Sequence, residues 1–157
     1  MNLFLGTHHN RLDIKGRVSI PASFRTCLKQ QEKHNSLIFR PSHKMPCIEA
    51  WPFVVFMQLT LSLNNLDPLS DEHEDMATAL YAEAWPIDLD KEGRIILPDF
   101  LKTHAHLTNS VTFLGLGTIF QIWEPKTALQ RCSYAREKIK KNAVPLSPLV
   151  IRETFHE

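Results

Sequence analysis

The chain has few cysteines, no long apolar run and none of the short patterns that mark common catalytic sites. Its three cysteines, Cys27, Cys47 and Cys132, are odd in number and far apart. That argues against a disulfide scaffold or a zinc site built on paired cysteines, and suits small core residues in a reducing compartment. No apolar stretch approaches the roughly 20 residues that span a bilayer, so a membrane partner is not expected. The opening MNLFLGTHHNR has too short an apolar run, and no basic lead-in, for a secretory signal. A cytoplasmic location is the expectation. Phosphate-binding loops, nucleophile elbows and dinucleotide fingerprints are all missing. The chain therefore reads as a non-enzyme, with no catalytic residue and no cofactor assigned. The acidic run DEHED at 71–75 could hold a metal, but its place at a helix start already accounts for its charge. His104 and His106 are two apart, which does not put both on one helical face. No metal site is assigned.

What the sequence does have is a duplication. LDIKGRVSIPASFR at 12–25 and LDKEGRIILPDFLK at 89–102 align without a gap at an offset of 77. Asp13 meets Asp90, Gly16 meets Gly93, Arg17 meets Arg94, Pro21 meets Pro98 and Arg25 meets Lys102. The following elements repeat as well. RVSI reads as a short strand preceded by a DIKG turn, with the segment before Asp13 expected to pair with it as a hairpin. Pro21 suits a helix start, and Phe24 and Leu28 fall on one face of ASFRTCLKQQ. SLIFRP and PCIEAWP read as strands, and FVVFMQLTLSL as a helix. In the second copy IDLDKEGRIILP, DFLKTHAHL, SVTFLGL, TIFQIWEP and KTALQRCSYAREKIKK give the same order, the last helix turning Ala128, Leu129, Cys132 and Ala135 to the core. Trp51-Pro52 answers Trp123-Glu124-Pro125 at an offset of 72, which places about five extra residues in the first hairpin loop. Between the copies a helix is expected, capped by Ser70 or Asp71, with Met76, Leu80 and Ala84 as its apolar stripe. The expected organisation is a first module at 1–66, a linking helix at 67–84, a second module at 85–141 and a tail at 142–157. The last dozen or so residues read as disordered. A unit of about 50 residues is marginal alone, and two copies can cover each other's sheet edges.

The net charge of +1 hides a strong asymmetry. Residues 1–44 carry eight Lys or Arg against Asp13 and Glu32, a net of +6; residues 45–125 carry three bases against twelve acids, a net of −9; residues 126–157 are +4. Ordinary solvated faces would give such a pattern, and so would a phosphate-seeking N-terminal surface. The basic run Arg131, Arg136, Lys138, Lys140 and Lys141 stays open in the same way, as a solvated helix face or a source of non-specific attraction.

The pattern Asp-x-x-Gly-Arg-x-x-x-Pro, occurring twice and preceded by FLG, resembles the MraZ family, over nearly the whole chain from Phe4 to about Lys140. The resemblance implies an α+β fold of two tandem AbrB-like (SpoVT/AbrB, swapped-hairpin) β-rich modules with flanking helices and an internal pseudo-twofold. It also implies a nucleoid-associated transcriptional regulator of the bacterial division and cell-wall gene cluster. Such a protein forms a ring-like homo-oligomer that binds short direct repeats in double-stranded DNA upstream of its own operon. An AbrB-type antitoxin, or a ring-forming assembly protein without DNA binding, is the alternative.

The residues themselves divide the two copies. The stretch Arg11–Arg17 has net charge +2, whereas Asp88–Arg94 has −1, with Glu92 in the place of Lys15. Phosphate contact needs positive charge, so the first copy is expected to face DNA and the second to complete the fold and the subunit contacts. Arg17 suits guanine with its planar fork, Lys15 suits phosphate, and Arg11 and Arg25 would flank the turn as phosphate clamps. Asp13 would orient Arg17 or cap the turn beside Gly16, and Asp90, Gly93 and Arg94 would do the same in the second copy. For Asp90 and Arg94 a purely turn-stabilising pair is an equal reading.

Overall fold

The computed structural model describes residues 3–31, 36–142 and 146. Apart from Asn142 and Leu146, the expected tail lies outside the described residues. The elements run β1 Thr7–Arg11, β2 Arg17–Ser19, α1 Ala22–Gln31, β3 Ser36–Pro41, β4 Ile48–Pro52, α2 Phe53–Leu63 and α3 Asp71–Ala77, which continues as a π-helical turn Thr78–Ala82. Then follow β5 Trp85–Asp88, β6 Arg94–Ile96, α4 Asp99–His104, β7 Ser110–Gly115, β8 Phe120–Trp123 and α5 Pro125–Asn142. The class is α+β, and the sequence order of elements in the two copies is the same.

The pairing is where the tertiary structure departs from the local reading. The Asp13–Gly16 turn closes tightly, with Gly16 N donating to Asp13 O at 3.0 Å and Asp13 N to Arg17 O at 3.1 Å. Beyond that rung the strands part. β1 runs antiparallel to β7 of the other copy, in register Thr7 with Leu114 through Arg11 with Ser110. β2 pairs antiparallel with β6, Arg17 opposite Ile96 and Ser19 opposite Arg94. The expected β1–β2 hairpin is therefore corrected to an exchange between copies. Its cause is edge coverage: β1 closes the open side of β7, and β5 closes that of β3. The large sheet reads β1-β7-β8-β4-β3-β5, a palindrome of the two copies about the β8–β4 seam.

Alternation then sorts the side chains. One face of the sheet sends Leu37, Phe39, Val111, Phe113, Phe120 and Ile122 into a core shared with α1, α4 and the inner face of the β2–β6 ribbon. Phe24 of α1 sits against Phe4 at 5.2 Å and Phe120 at 4.9 Å between ring centres, so both copies meet at one aromatic cluster. The opposite face carries α2 and α5. There Leu114, Trp123 and Cys47 pack on Ala128, and burial pushes the Cys47 thiol up to about 12. The duplication persists in detail: Trp51 Nε1 donates to Glu49 at 3.1 Å and Trp123 Nε1 to Gln121 at 2.8 Å.

Three smaller expectations need correction. The shift in offset from 77 to 72 is not all in the hairpin loop. That loop spans six residues, 42–47, against four, 116–119; the other three extra residues precede β3, where α1 is ten residues long and α4 six. Leu129 is 71% exposed, because only the Ala128–Cys132 line of α5 reaches the sheet. Met76 is exposed too, while Leu80 is buried. The π-helical turn at 78–82 breaks the four-residue spacing on which that stripe depended. Ser70 does cap α3, accepting from His73 N at 3.1 Å.

Candidate nucleic-acid interface

The β2–β6 ribbon has one buried and one outward face. Val18 and Ile95 point in, at 2% and 1% exposure, and both belong to the core. Residues directly opposite in an antiparallel pair share a face. Arg17, Ile96, Ser19 and Arg94 therefore all stand on the outer face, with Arg17 and Arg94 on one diagonal. The Asp13–Gly16 turn lies at one end of the ribbon and the Asp90–Gly93 turn at the other. Leu97 N donates to Gly16 O at 2.8 Å and Ile20 N to Gly93 O at 3.0 Å, so each turn is pinned by the strand of the other copy. Both glycines take positive φ, +84° and +79°, the conformation that this tight turn requires.

Each turn builds the same device. Asp13 Oδ1 accepts from Lys15 N at 3.0 Å and Arg17 N at 2.8 Å, while Oδ2 accepts from Arg17 Nε at 2.7 Å. Asp90 Oδ1 accepts from Glu92 N at 2.8 Å and Arg94 N at 2.9 Å, while Oδ2 accepts from Arg94 Nε at 3.1 Å. Thus each carboxylate both caps its turn and holds the guanidinium by Nε, which leaves the terminal nitrogens to point onward. The Arg17 N–H and then its guanidinium hold the Asp13 carboxyl below the ordinary carboxylate range, and the Arg94 N–H leads the same effect on Asp90. Both aspartates remain charged, so the arginines are aimed but half-neutralised.

The ends differ in what surrounds the fork. Arg94 Nη2 also meets Glu92 Oε2 at 3.1 Å. At the first end the corresponding residue is Lys15, which is exposed, and among the described residues no second carboxylate meets Arg17. Arg11, at the exposed end of β1, leads into the first turn. Arg25 does not stand there. Its Nη1 donates to the Glu92 carbonyl at 3.1 Å and its side chain lies over Gly93, at the second turn. Lys102 takes the reciprocal place near Gly16, where a Cβ on the glycine would be 3.3 Å from its Nζ, and it pairs with Asp99 at 3.0 Å. The local reading missed Lys102, Ser19 and Ile96. The alignment of Arg25 with Lys102 was the signal for the first, once each helix is seen to serve the other copy's turn.

Comparison with known proteins agrees with this architecture. The family model described as "MraZ protein, putative antitoxin-like" matches residues 3–79 and again 80–142. The chain belongs to the MraZ family. It is 59% identical over 147 residues to "Transcriptional regulator MraZ" of Gluconacetobacter diazotrophicus, covering 92% of this chain and 93% of that one. The protein of the same name from Gluconobacter oxydans is 53% identical over 150 residues, covering 94% and 92%. That of Azorhizobium caulinodans is 38% identical over 141 residues, covering 90% and 89%. The two tandem matches of this MraZ-family chain fit two AbrB-like modules that interlock by exchanging strands.

Two of the histidines bond to neighbouring elements. His9 Nδ1 bonds Thr112 Oγ1 at 2.7 Å across β1–β7, and His104 Nε2 bonds the Met45 carbonyl at 3.1 Å. The 71–75 acids are exposed on α3, Asp71, Glu72 and Glu74 in its first turn. Among the described residues, no helix is long and apolar enough to cross a membrane.

Proposed function

We propose that this chain is a sequence-specific, double-stranded-DNA-binding transcriptional regulator that enters the major groove with the β2–β6 ribbon. The observation that carries the reading is the ribbon's outer face, where Arg17 and Arg94 stand together, each aimed by an aspartate of its own turn. A two-stranded ribbon is narrow enough for the major groove, and an aimed guanidinium matches guanine O6 and N7. Lys15 and Arg11 supply phosphate contacts beside Arg17; Arg25 supplies them beside Arg94. The relatives' printed name, transcriptional regulator, points the same way.

One ribbon makes few contacts. A homo-oligomer, ring-like as in the family resemblance, would present it repeatedly to short direct repeats upstream of its own operon, within the division and cell-wall gene cluster, and gain by avidity. Self-association is supported by the exposed apolar side chains Phe53, Met57 and Leu61, spaced four apart on α2, and by Met76 and Tyr81, exposed further along the chain. No catalytic step enters this reading, and its place in the cell is the nucleoid.

The test is fluorescence anisotropy with a DNA fragment from just upstream of the gene, against a scrambled fragment of equal length. Arg17→Ala should cost roughly fivefold to a hundredfold in affinity, the worth of a bidentate guanine contact. Arg94→Ala should cost less, since Glu92 already draws on that guanidinium. No binding to either fragment by the wild type overturns the reading in favour of an assembly protein, equal binding of both overturns its sequence specificity, and specific binding that neither substitution affects in a folded protein overturns the ribbon as the reading face.

A further inference from the structure

The two ends of the ribbon are related by duplication, yet beyond Lys15 and Glu92 they differ at two further outward positions. At the first end Ile14 forms the tip of the Asp13–Gly16 turn and is 98% exposed. Ile96, directly opposite Arg17, is 63% exposed. The equivalent positions at the second end, 77 residues away, are Lys91 and Ser19. Neither isoleucine belongs to a core cluster. Turn tips favour Gly, Asn, Asp and Ser, and the solvated face of a strand is ordinarily polar. The fold thus accounts for Lys91 and Ser19 but not for Ile14 and Ile96. Ile96 stands opposite Arg17, the arginine whose fork, among the described residues, meets no second carboxylate, and Ile14 sits at the tip of the same turn next to Lys15 in the chain.

We infer that Ile14 and Ile96 form a thymine-methyl-reading pair at the first end of the ribbon, which they share with a guanine-reading Arg17. The inference rests on the DNA-binding reading above. The 5-methyl of thymine is the apolar group on base-pair edges in the major groove, and aliphatic side chains recognise it there. Basic flanking residues favour a polyanion over an apolar protein surface as the occupant. Opposite β positions lie about 5 Å apart at Cβ, which puts Ile96 alongside the Arg17 stem rather than in its path. The first end therefore takes a guanine with thymine beside it, while the second end, with Lys91, Glu92 and Ser19, is indifferent to the methyl. The two ends of one subunit read unlike sequences.

The experiment replaces every thymine of the upstream fragment by uracil, using amplification with deoxyuridine triphosphate, which removes the methyl groups and leaves base pairing intact. Binding to the thymine and uracil fragments is compared for wild type, Ile14→Lys, Ile96→Ser and the double variant. Those substitutions install residues that the ribbon already carries at its other end, so folding is preserved. The wild type should lose about threefold to fivefold for each methyl contact removed, the worth of one buried methyl. The double variant should bind the two fragments equally. A wild type that binds specifically but ignores uracil, or a double variant that keeps the full uracil penalty, overturns the inference while leaving the regulator reading in place. Loss of the oligomer in the double variant, seen by sedimentation without any change in the uracil penalty, makes the pair a subunit contact and overturns it as well. A wild type that prefers neither fragment to scrambled DNA overturns both readings together.

Discussion

Replacing Glu92 by lysine should strengthen DNA binding. Glu92 Oε2 lies 3.1 Å from Arg94 Nη2, and the Glu92 side chain is 71% exposed. The main chain at this position makes the structural contacts: N donates to Asp90 Oδ1 and the carbonyl accepts from Arg25. Glu92→Lys leaves these in place, releases the Arg94 fork and turns the Asp88–Arg94 stretch from −1 to +1. Each added phosphate contact steepens the dependence of log K on log salt by about 0.9. One contact by the new ammonium is then worth about eightfold in affinity between 1 M and 0.1 M salt, and a second from the released Arg94 would double the slope change. Anisotropy titrations at four or five salt concentrations read the slope directly. Glu72→Lys on α3 makes the same change in net charge away from the ribbon, on an exposed first turn. Screening over about 10 Å at 0.1 M should leave its slope near that of the wild type. An unchanged slope in Glu92→Lys, or an equal change in Glu72→Lys, would refute the placement of the second turn at the DNA.

Other consequences concern stability. Arg40 is 2% exposed and binds Glu49 Oε1 at 2.7 Å and the Ala79 carbonyl at 2.9 Å, tying the π-helical turn to the sheet. Arg40→Ala should cost about 3–5 kcal/mol in urea unfolding by stranding Glu49, whereas a loss under about 1 kcal/mol would mean that the pair is hydrated. Gly16→Ala should lower the urea midpoint by the equivalent of about 1–2 kcal/mol, since φ is +84° and the new methyl would sit 2.9 Å from the Leu97 carbonyl oxygen; an unchanged midpoint would show that the turn relaxes freely. Asp13, Asp90 and Glu124 all have carboxyls held below their ordinary values, led by backbone N–H donors of Arg17, Arg94 and Lys126. Because the folded values are depressed, their stabilisation is complete above the ordinary carboxylate range and is lost as pH falls through the folded values. The urea midpoint should therefore drop on acidification below about pH 4.5, less steeply in the Asp13→Asn, Asp90→Asn, Glu124→Gln triple variant; identical pH profiles would contradict those hydrogen bonds.

Much of the molecule is legible locally, and for a local reason. The Asp13 and Asp90 devices use partners two and four residues away, so the repeated Asp-x-x-Gly-Arg spacing already contains the turn, its glycine and the aimed arginine. Helix starts at Pro21 and Pro98 and the Ser70 cap are local in the same sense. The strands beyond the turns are not. The period-2 pattern of RVS and RII says which side chains are buried, since Val18 and Ile95 alternate with polar or exposed neighbours. It says nothing about which strand supplies the hydrogen bonds, because backbone N–H and C=O groups are alike at every residue. That is why the Asp13 turn reads as a simple hairpin, although β1 and β2 part to serve the other copy.

The sequence by itself determined the duplicated unit, the order of its elements, the two carboxylate-held arginines and the contrast between Lys15 and Glu92. Only the tertiary structure decided that β2 and β6 pair, that Arg25 reaches the second turn, and that Arg17 and Arg94 share one outward face. Those outcomes depend on strands some 77 residues apart in the chain choosing each other. The choice is made by closing every open sheet edge and filling one core from both copies, a free-energy balance over the whole molecule that no single stretch contains.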